Sequence, residues 1–410
     1  MVLVWQLAWR YLRGKRSANV VPILSRISMS AIAVGSCALI VLFSVFNGFE
    51  DLIKDLYKAF YPEIKIVAQK GKFFDFSEAQ FQELKKIKGI SAISTVLEDN
   101  VLLNNEDEQM VATLKGVDNA YFKVNNIKPF IIDGIDTVSD YPMTTALVGL
   151  YIADQMGVTA NNAYANLTLF YPNSTTSNLT LDPTHAFQSL FVRPAGVFKV
   201  QEEFDRKYIL APITSVQNLF LQPNKFSSIE IKLSQNALVS EVQDIIRKMP
   251  SLKGFRVESR YEQNRTMYLV MQSEKWAVYA LLLFVLLIAS FNMVGGLTLL
   301  VLEKSKDVAI LKAMGATPKM IQLIFITEGV LWSLVGGLIG LGLGLALCYG
   351  QLKFHWLKLE GAFIIDAYPV AIRPFDILVV ITTVLFVGCL ASIYPALRTA
   401  RVEDPTLKAN

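Results

Sequence analysis

The sequence predicts an α-helical membrane protein with four transmembrane helices and a large extracytoplasmic α+β domain. Hydrophobic residues make up 53% of the 410 residues, which is more than soluble domains usually contain. Four long segments carry almost no charge, and each is long enough to cross the ~30 Å hydrocarbon core of a bilayer. Most charged residues fall in one polar block of more than 200 residues between the first two segments, so a water-facing domain is expected there.

Composition also limits the chemistry that this chain can perform. The three cysteines, Cys37, Cys348 and Cys389, all lie in apolar segments, and the two histidines are far apart. Neither a disulfide in the polar block nor a zinc site is therefore expected. The sequence has no phosphate-binding loop, no H-E-x-x-H motif and no G-x-S-x-G motif, so we expect no catalytic residues. The net charge of +4 is not gathered on one polar domain, and no nucleic-acid partner is expected.

The first 26 residues contain five basic residues and no acid. Apolar and aromatic side chains are interspersed among them, which fits a helix lying along an anionic cytoplasmic surface. A plain positively charged flank fits equally well. The first transmembrane helix is predicted at 27–48, and we expect an uncleaved anchor because a signal peptide has a shorter apolar region and a small-x-small cleavage site. The basic flank predicts a cytoplasmic N-terminus.

The polar block, 49–273, begins and ends with the same order of strand, helix and strand. Ser77 and Gly89 supply start and stop signals for the first helix, and Gly254 follows the second. These two units predict a split ferredoxin-like subdomain with a mostly β subdomain inserted at about 118–224. The predicted strands are 63–69, 90–103, 109–117, 228–233 and 255–258. The first predicted helix is 77–88, and its inward residues are Phe81, Leu84 and Ile87. The second predicted helix is 237–249, and its inward residues are Leu238, Val242, Ile245 and Ile246.

A turn-rich segment lies inside the predicted insertion. Two apolar strand candidates, 166–170 and 188–192, flank it, and Pro172 and the pair Asp182-Pro183 lie between them. A protruding hairpin and an irregular surface loop both fit this composition, and composition alone favours the loop.

The second span is predicted at 276–302, as the continuation of an amphipathic helix that starts at Tyr261. Such a helix would form a stalk that couples the outer domain rigidly to the membrane. Asn292 lies within this span, where we favour packing against another helix over contact with a ligand.

The third and fourth spans are predicted at 321–352 and 375–397. Gly336, Gly340 and Gly344 recur every fourth residue, which allows close approach of a helix from this chain or from a second protomer. Four spans place both termini in the cytoplasm.

Between the second and third spans lies a charged segment, 303–318, on the predicted cytoplasmic side. Val308, Leu311 and Met314 recur at helical spacing. Gly315 is a helix stop signal, and Thr317-Pro318 is a start signal for the next helix. The segment therefore predicts a rigid helical elbow, because a solvated loop explains its lysines but not the apolar stripe or the paired signals.

Four motifs carry a resemblance to a known family. They are Ala8-x-Arg10-Tyr11-Leu12, SVFNGFE at 44–50, EKSKDVAILKAMGAT at 303–317 and ASIYPALRTARVEDP at 391–405. In this order around an outer domain of this size, they resemble the permeases of the type VII ABC transporter superfamily, which includes MacB and FtsX. The resemblance is greatest to the lipoprotein-releasing permeases of the LolC/LolE type. It implies a MacB-like periplasmic core domain, an FtsX-like permease domain at about 276–405, and a place in the bacterial inner membrane.

The resemblance also implies partners and a mechanism. Two permease protomers, identical or merely related, would bind two copies of a separate ABC ATPase subunit, which holds the ATP and Mg, while the permease binds no cofactor. Mechanotransmission would then drive extraction of lipoproteins from the outer leaflet for targeting to the outer membrane. The helix that couples to the ATPase would present Lys306, Val308, Leu311, Lys312, Met314 and Gly315. The cradle for the lipid chains would be lined by Ile32, Leu39, Val41, Phe46, Leu282, Val285, Ala289 and Met293.

The turn-rich segment coincides with the hook that recruits a periplasmic carrier in one of these permeases. Pro172, Asp182, Pro183 and Phe187 are the implied carrier contacts. This sequence departs from the family pattern, because the segment is longer and lacks Lys or Arg before Arg193. An FtsX-like regulator of a cell-wall hydrolase and a MacB-like drug or peptide exporter are the alternative functions.

Overall fold

The computed structural model describes residues 20–105, 108–160, 167–173, 187–358 and 367–398. Contacts divide them into two compact units. The membrane unit comprises the described parts of 1–52, 269–359 and 366–410, and the sheet unit comprises those of 53–268. The predicted interfacial helix before residue 20 lies outside the described residues, as does the end of the fourth motif.

Long helices build the membrane unit, and short ones flank the strands of the sheet unit. The helices are α1 (Val20–Tyr57), α2 (Glu78–Lys85), α3 (Tyr121–Val124), α4 (Leu150–Gln155), α5 (Glu202–Asp205), α6 (Ile213–Leu219), α7 (Val239–Arg247), α8 (Arg260–Gln263), α9 (Arg265–Glu303), α10 (Ser305–Ala313), α11 (Pro318–Phe354) and α12 (Pro374–Arg398).

Four of these helices, α1, α9, α11 and α12, are long and apolar enough to cross a membrane. Each contains one predicted span and extends beyond it, because the flanking polar residues do not break a helix. The start of the second span differs from the prediction. Ser259 and Glu262 form a capping box for the one-turn helix α8, and Asn264 then leaves helical geometry, with φ −124° and ψ 32°. The spanning helix therefore begins at Arg265 instead of Tyr261.

The glycine row of α11 packs against α1 of the same chain. A Cβ placed on Gly336 would lie 2.7 Å from the carbonyl oxygen of Met29, and one on Gly344 would lie 2.2 Å from the side chain of Ile40. The hydroxyl of Ser36 also donates to the carbonyl oxygen of Gly337 at 3.0 Å. The helix that approaches the glycine row of the third span is therefore the first span of the same chain.

The sheet unit contains one ten-stranded sheet and a two-stranded ribbon. The strands are β1 (Ile64–Ala68), β2 (Phe74–Asp75), β3 (Ile90–Asn105), β4 (Glu108–Val117), β5 (Ile131–Gly134), β6 (Thr145–Gly149), β7 (Leu167–Pro172), β8 (Phe187–Phe198), β9 (Tyr208–Pro212), β10 (Lys225–Phe226), β11 (Ser228–Leu233) and β12 (Phe255–Ser259). The large sheet has the order β12-β1-β11-β3-β4-β9-β6-β8-β5, with β7 pairing to β3 and β8.

The split ferredoxin-like arrangement is confirmed by the first four strands of this order. They come from β-α-β-β-α-β elements taken from both ends of the block, and each neighbouring pair is antiparallel. Leu84 of α2 and Val242 and Ile246 of α7 are buried against the strands. The prediction for Leu238 and Ile245 is wrong, since they are 60% and 50% exposed.

The inserted part continues the same sheet. β3 extends to Asn105, and its residues from Val96 onward pair with β4. β4 in turn pairs in parallel with β9. A second apolar core lies under these strands, with Leu97, Leu114 and Ile209 fully buried. The insertion is therefore a lateral extension of the ferredoxin-like sheet.

Candidate functional site

The elbow between the second and third spans, defined here as residues 303–318, contains the helix α10. A single residue, Lys304, separates α9 from α10, and its φ of −92° and ψ of 13° change the chain direction. The backbone hydrogen bonds continue across the break, from Lys304 N–H to Leu300 O at 2.9 Å and from Val308 N–H to Lys304 O at 3.0 Å. These two hydrogen bonds span the break on both sides of Lys304, which favours a defined angle between the helices.

The far end of α10 has the predicted stop and start. Gly315 adopts a φ of +89°, a conformation that favours glycine. Ala316 N–H donates to Leu311 O at 2.9 Å, which closes the helix end. Thr317 then accepts a hydrogen bond from Met320 N–H at 3.3 Å, and Pro318 occupies the first turn of α11.

Burial separates the two sides of α10 and corrects the predicted contact face. Val308 is 3% exposed and belongs to the apolar core of the membrane unit. It faces the helix bundle and is therefore unavailable to a partner in this conformation. Leu311 is half-buried, whereas Lys306, Lys312, Met314 and Gly315 are exposed.

Ile310, which the predicted apolar stripe did not include, is 59% exposed, beside Met314 at 71%. Lys306, Ile310 and Met314 follow each other at intervals of four, so they lie along one side of the helix. We call these three residues the outward stripe of α10. The spacing of apolar residues does not tell which side of α10 faces outward, because the outward stripe and the pair Val308 and Leu311 both fit a helical period.

The predicted lipid cradle is divided between buried and exposed positions. Ile32, Leu39 and Met293 are at most 2% exposed in the core of the membrane unit, which corrects their assignment as accessible lining residues. They pack inward because α1, α9 and α11 meet around them. Val285 is 47% exposed, and the remaining predicted members are half-buried: Val41, Phe46, Leu282 and Ala289.

One side of α9 faces away from the other described helices. Only 17% of its most apolar stretch is buried, against 39% in each of the other three spans. Between Leu281 and Asn292, the exposed side chains recur at helical spacing and are Leu281, Phe284, Val285, Ile288, Phe291 and Asn292. We call this set the free face of α9. Asn292 is exposed among the helices that the structure describes, and a polar group on an apolar membrane face favours a hydrogen-bonding partner.

The turn-rich segment is framed by a hairpin. β7 and β8 pair antiparallel from Leu167↔Val192 to Pro172↔Phe187. Pro172 is exposed and Phe187 is 53% exposed, beside Phe191 at 63%. Asp182 and Pro183 lie outside the described residues.

A buried charge network lies in the sheet unit where the ferredoxin-like strands meet β4. The ammonium of Lys115 lies 2.8 Å from Glu230, and their side chains are 3% and 0% exposed. Lys65 lies 3.3 Å from Glu98. Burial alone would raise the pKa of Glu98, but the ammonium groups of Lys65 and Lys115 outweigh it and lower this pKa to about 2. Glu98 is therefore ionised at neutral pH.

Comparison with known proteins assigns the chain to a family. Residues 25–249, over half of the chain, match the model of the MacB-like periplasmic core domain. The chain belongs to the family of membrane permeases with this core domain. Residues 279–403 of the permease match the FtsX-like permease C-terminal model. The family resemblance inferred from the four motifs is thereby confirmed.

Two curated relatives extend over nearly the whole permease. The lipoprotein-releasing system transmembrane protein LolE of Haemophilus influenzae is 27% identical over 97% of each chain. LolC of Buchnera aphidicola subsp. Schizaphis graminum, a protein of the same system, is 26% identical over 94% of the permease and 93% of the relative. Among solved structures, the periplasmic region of MacB from Actinobacillus actinomycetemcomitans is 14% identical, with a TM-score of 0.37 over 53% of the permease and 98% of that chain.

Proposed function

We propose that this chain is the permease subunit of an ABC transporter that extracts lipoproteins from the outer leaflet of the bacterial inner membrane. Its similarity to LolE over 97% of each chain carries the proposal. Both termini lie in the cytoplasm and the sheet unit in the periplasm. The permease is not itself an enzyme, and ATP hydrolysis takes place on a separate ATPase subunit, present in two copies.

The outward stripe of α10 is the proposed contact with the ATPase. Its exposed apolar side chains, Ile310 and Met314, are suited to burial in a protein pocket, and Lys306 adds positive charge. Helix breaks of defined geometry at both ends of α10 would let this helix pass a displacement to α9 and α11, which is mechanotransmission. Lys312 and Gly315 remain candidate contacts at the end of the helix, whereas Val308 supports the elbow from inside.

The free face of α9 is the proposed surface for the lipid chains and for the second permease protomer. Transfer of an acyl chain into water costs about 0.8 kcal/mol per CH₂, so extraction requires an apolar surface and an energy source. Val285 offers such a surface without rearrangement. Asn292 would form a hydrogen bond across the interface with the second protomer, a copy of this chain or a related permease.

The β7–β8 hairpin is the proposed contact with a periplasmic lipoprotein carrier. Phe187 and Phe191 are four residues apart on β8, so they share one face of the hairpin. Exposed aromatic side chains of this kind are typical anchors in protein interfaces.

The proposal is tested by photo-crosslinking in membranes that contain the full transporter. A photoreactive residue at Val285 should capture a lipoprotein, and ATP with the ATPase subunit should release it. The matched control is Phe386, which is 61% exposed on α12 and should capture lipid but no lipoprotein. Absence of lipoprotein at Val285 in every nucleotide state would overturn the proposal. A cell-chaining defect on depletion would then indicate the regulator of a cell-wall hydrolase, and drug sensitivity would indicate the exporter.

A further inference from the structure

The two halves of α9 are attached to the membrane unit in different ways. Every buried residue of α9 lies between Leu286 and Val301. Among the described residues from Arg265 to Val285, none is buried. The outer half of α9, defined here as 265–285, therefore packs only through half-buried side chains, among them Tyr279, Leu282 and Leu283. A segment without fully buried side chains separates from its neighbours more easily than the inner half of the helix.

The first side chain that attaches the outer half is Lys275. Its ammonium group donates to the side-chain oxygen of Asn47 at 2.8 Å and lies 3.8 Å from Asp376. The amide nitrogen of Asn47 donates to the carboxylate of Asp376 and, at 3.3 Å, to the carbonyl oxygen of Ala371. Asn47 is fully buried, so its amide joins the cation of α9 to the anion of α12.

Tyr279, one turn further along α9, is the second attachment. Its ring stacks on Phe43 of α1 with centroids 5.7 Å apart. Its hydroxyl lies 2.9 Å from that of Thr383 on α12. The ammonium of Lys275 also lies 5.6 Å from the centre of the Phe43 ring, close enough for a cation–π interaction. Lys275 and Tyr279 thus contact the same two helices.

The surface that receives these side chains is held together without α9. Arg373, just before α12, forms ion pairs with Glu50 at 3.2 Å and Asp51 at 2.8 Å on α1. The N–H of Ala371 donates to the carbonyl oxygen of Ser44 at 2.8 Å. Loss of the contacts of Lys275 would therefore leave α1 and the start of α12 joined.

A close contact deeper in the membrane marks where the outer half of α9 could pivot. A Cβ placed on Gly35 of α1 would lie 2.8 Å from the side chain of Leu286. Between this contact and the Phe43–Tyr279 stack, α1 contributes Leu39, which is 1% exposed, and α9 contributes the half-buried Leu282. If the two helices separated between the Gly35–Leu286 contact and the Phe43–Tyr279 stack, both of these apolar side chains would become exposed.

We propose that Lys275 and Tyr279 form a releasable latch that closes an apolar cleft between α1 and α9. Release of their contacts lets the outer half of α9 move away from α1, and a lipid chain enters against Leu39 and Leu282. Polar contacts suit this role, because water and lipid headgroups at the membrane surface can replace them when they break. The identity of the lipid as part of a lipoprotein rests on the proposed function, whereas the opening of the cleft does not.

The latch is tested on the full permease with its three native cysteines replaced and one cysteine introduced by Leu39→Cys. Labelling by a membrane-soluble maleimide reports access to the cleft. We expect Lys275→Met to raise the labelling rate several-fold, and Tyr279→Phe to raise it less. Glu274→Gln is the matched control, since Glu274 is exposed on the same turn of α9, and it should leave the rate unchanged.

A second variant separates loss of the latch from misfolding, because Lys275→Met leaves Asp376 without its cation. Lys275→Met combined with Asp376→Asn removes both charges and should label as fast as the single variant. Unchanged labelling in both, at normal expression, would overturn the latch. Lipoprotein release is measured in parallel. If the Lys275 variants are labelled faster but neither the wild type nor the variants release lipoprotein, the latch is supported and the proposed function is rejected.

Discussion

Gly340 of the third span approaches Ala33 of the first so closely that a Cβ on the glycine would lie 2.0 Å from the carbonyl oxygen of Ala33. Two residues further along the same helix, a Cβ on Gly342 would meet nothing within 4 Å. The tight contact continues through Gly336 and Gly344, on the same side of α11. The first and third spans are therefore packed backbone to backbone along this row.

Gly340→Ala should destabilise the membrane unit. The added methyl group overlaps the backbone of α1, and overpacking of this kind costs about 1–3 kcal/mol. Thermal unfolding of the purified permease in detergent should show a lower Tm. Gly342→Ala is the control, and it should keep or slightly raise the Tm, because alanine favours the helix by up to about 1 kcal/mol. Equal Tm values for the two variants would contradict the close packing.

Substitutions on the two sides of α10 should have opposite consequences. Met314→Asp places a charge on the exposed outward stripe, so it should weaken ATPase binding and uncouple hydrolysis from release while the Tm stays unchanged. Val308→Asp places a charge in the apolar core and should lower stability by several kcal/mol. Co-purification of the ATPase and a thermal unfolding scan measure the two effects. Normal ATPase binding by Met314→Asp would contradict the assigned contact face.

Local signals in the sequence predicted the boundaries of several elements well. Ser77 and Thr317 act on their own backbone neighbourhood, so α2 and α11 begin within one residue of the expected position. The end of α2 at Lys85 lies before the predicted end at residue 88. The alternation of strand residues placed β11 at its observed bounds. Elements of this kind depend on residues close in the chain, which the sequence displays directly.

The direction in which a side chain faces was harder to predict. Leu39 and Phe291 are both apolar residues in spans, yet one is 1% exposed and the other 71%. In a membrane helix almost every position is apolar, so the hydrophobic pattern does not distinguish the packed side from the lipid side. On α7, the apolar stripe is wider than the strip in contact with the sheet, and Ile245 falls outside that contact. Which neighbour covers a face depends on contacts distant in the chain.

Asn292→Leu should weaken the association of two permease protomers. The exposed amide on the free face of α9 would lose its partner across the interface, and such hydrogen bonds in membranes contribute roughly 0.6–2 kcal/mol. Energy transfer between labelled protomers in lipid bilayers measures the dimer fraction as a function of dilution. Phe291→Leu, at the neighbouring exposed position, is the control and keeps the surface apolar. A dimer fraction unchanged by Asn292→Leu would exclude this contact from the interface.

The buried network around Glu98 should make the sheet unit sensitive to acid. The folded pKa of Glu98 is about 2, below the value of about 4.3 of an unperturbed glutamate. A carboxyl with a lowered folded pKa stabilises the fold above its unfolded pKa, and this contribution is lost as the pH falls toward the folded pKa. The stability of the wild-type sheet unit should therefore decline between about pH 4.5 and pH 2.

Glu98→Gln should flatten this decline, because the amide does not titrate. Opposing behaviour is expected from Asp205, since burial raises its pKa to about 6 even though it accepts a hydrogen bond from Val200 N–H. Its ionisation costs stability as the pH rises from about 4 to 6.

Hydrogen exchange of β3 and β4 peptides in the full permease, measured across this pH range, separates the pH dependence due to Glu98 from that due to Asp205. Glu108→Gln, at an exposed site on β4, is the control and should follow the wild-type curve. A Glu98→Gln curve that also follows the wild type would show that Glu98 does not set the acid sensitivity.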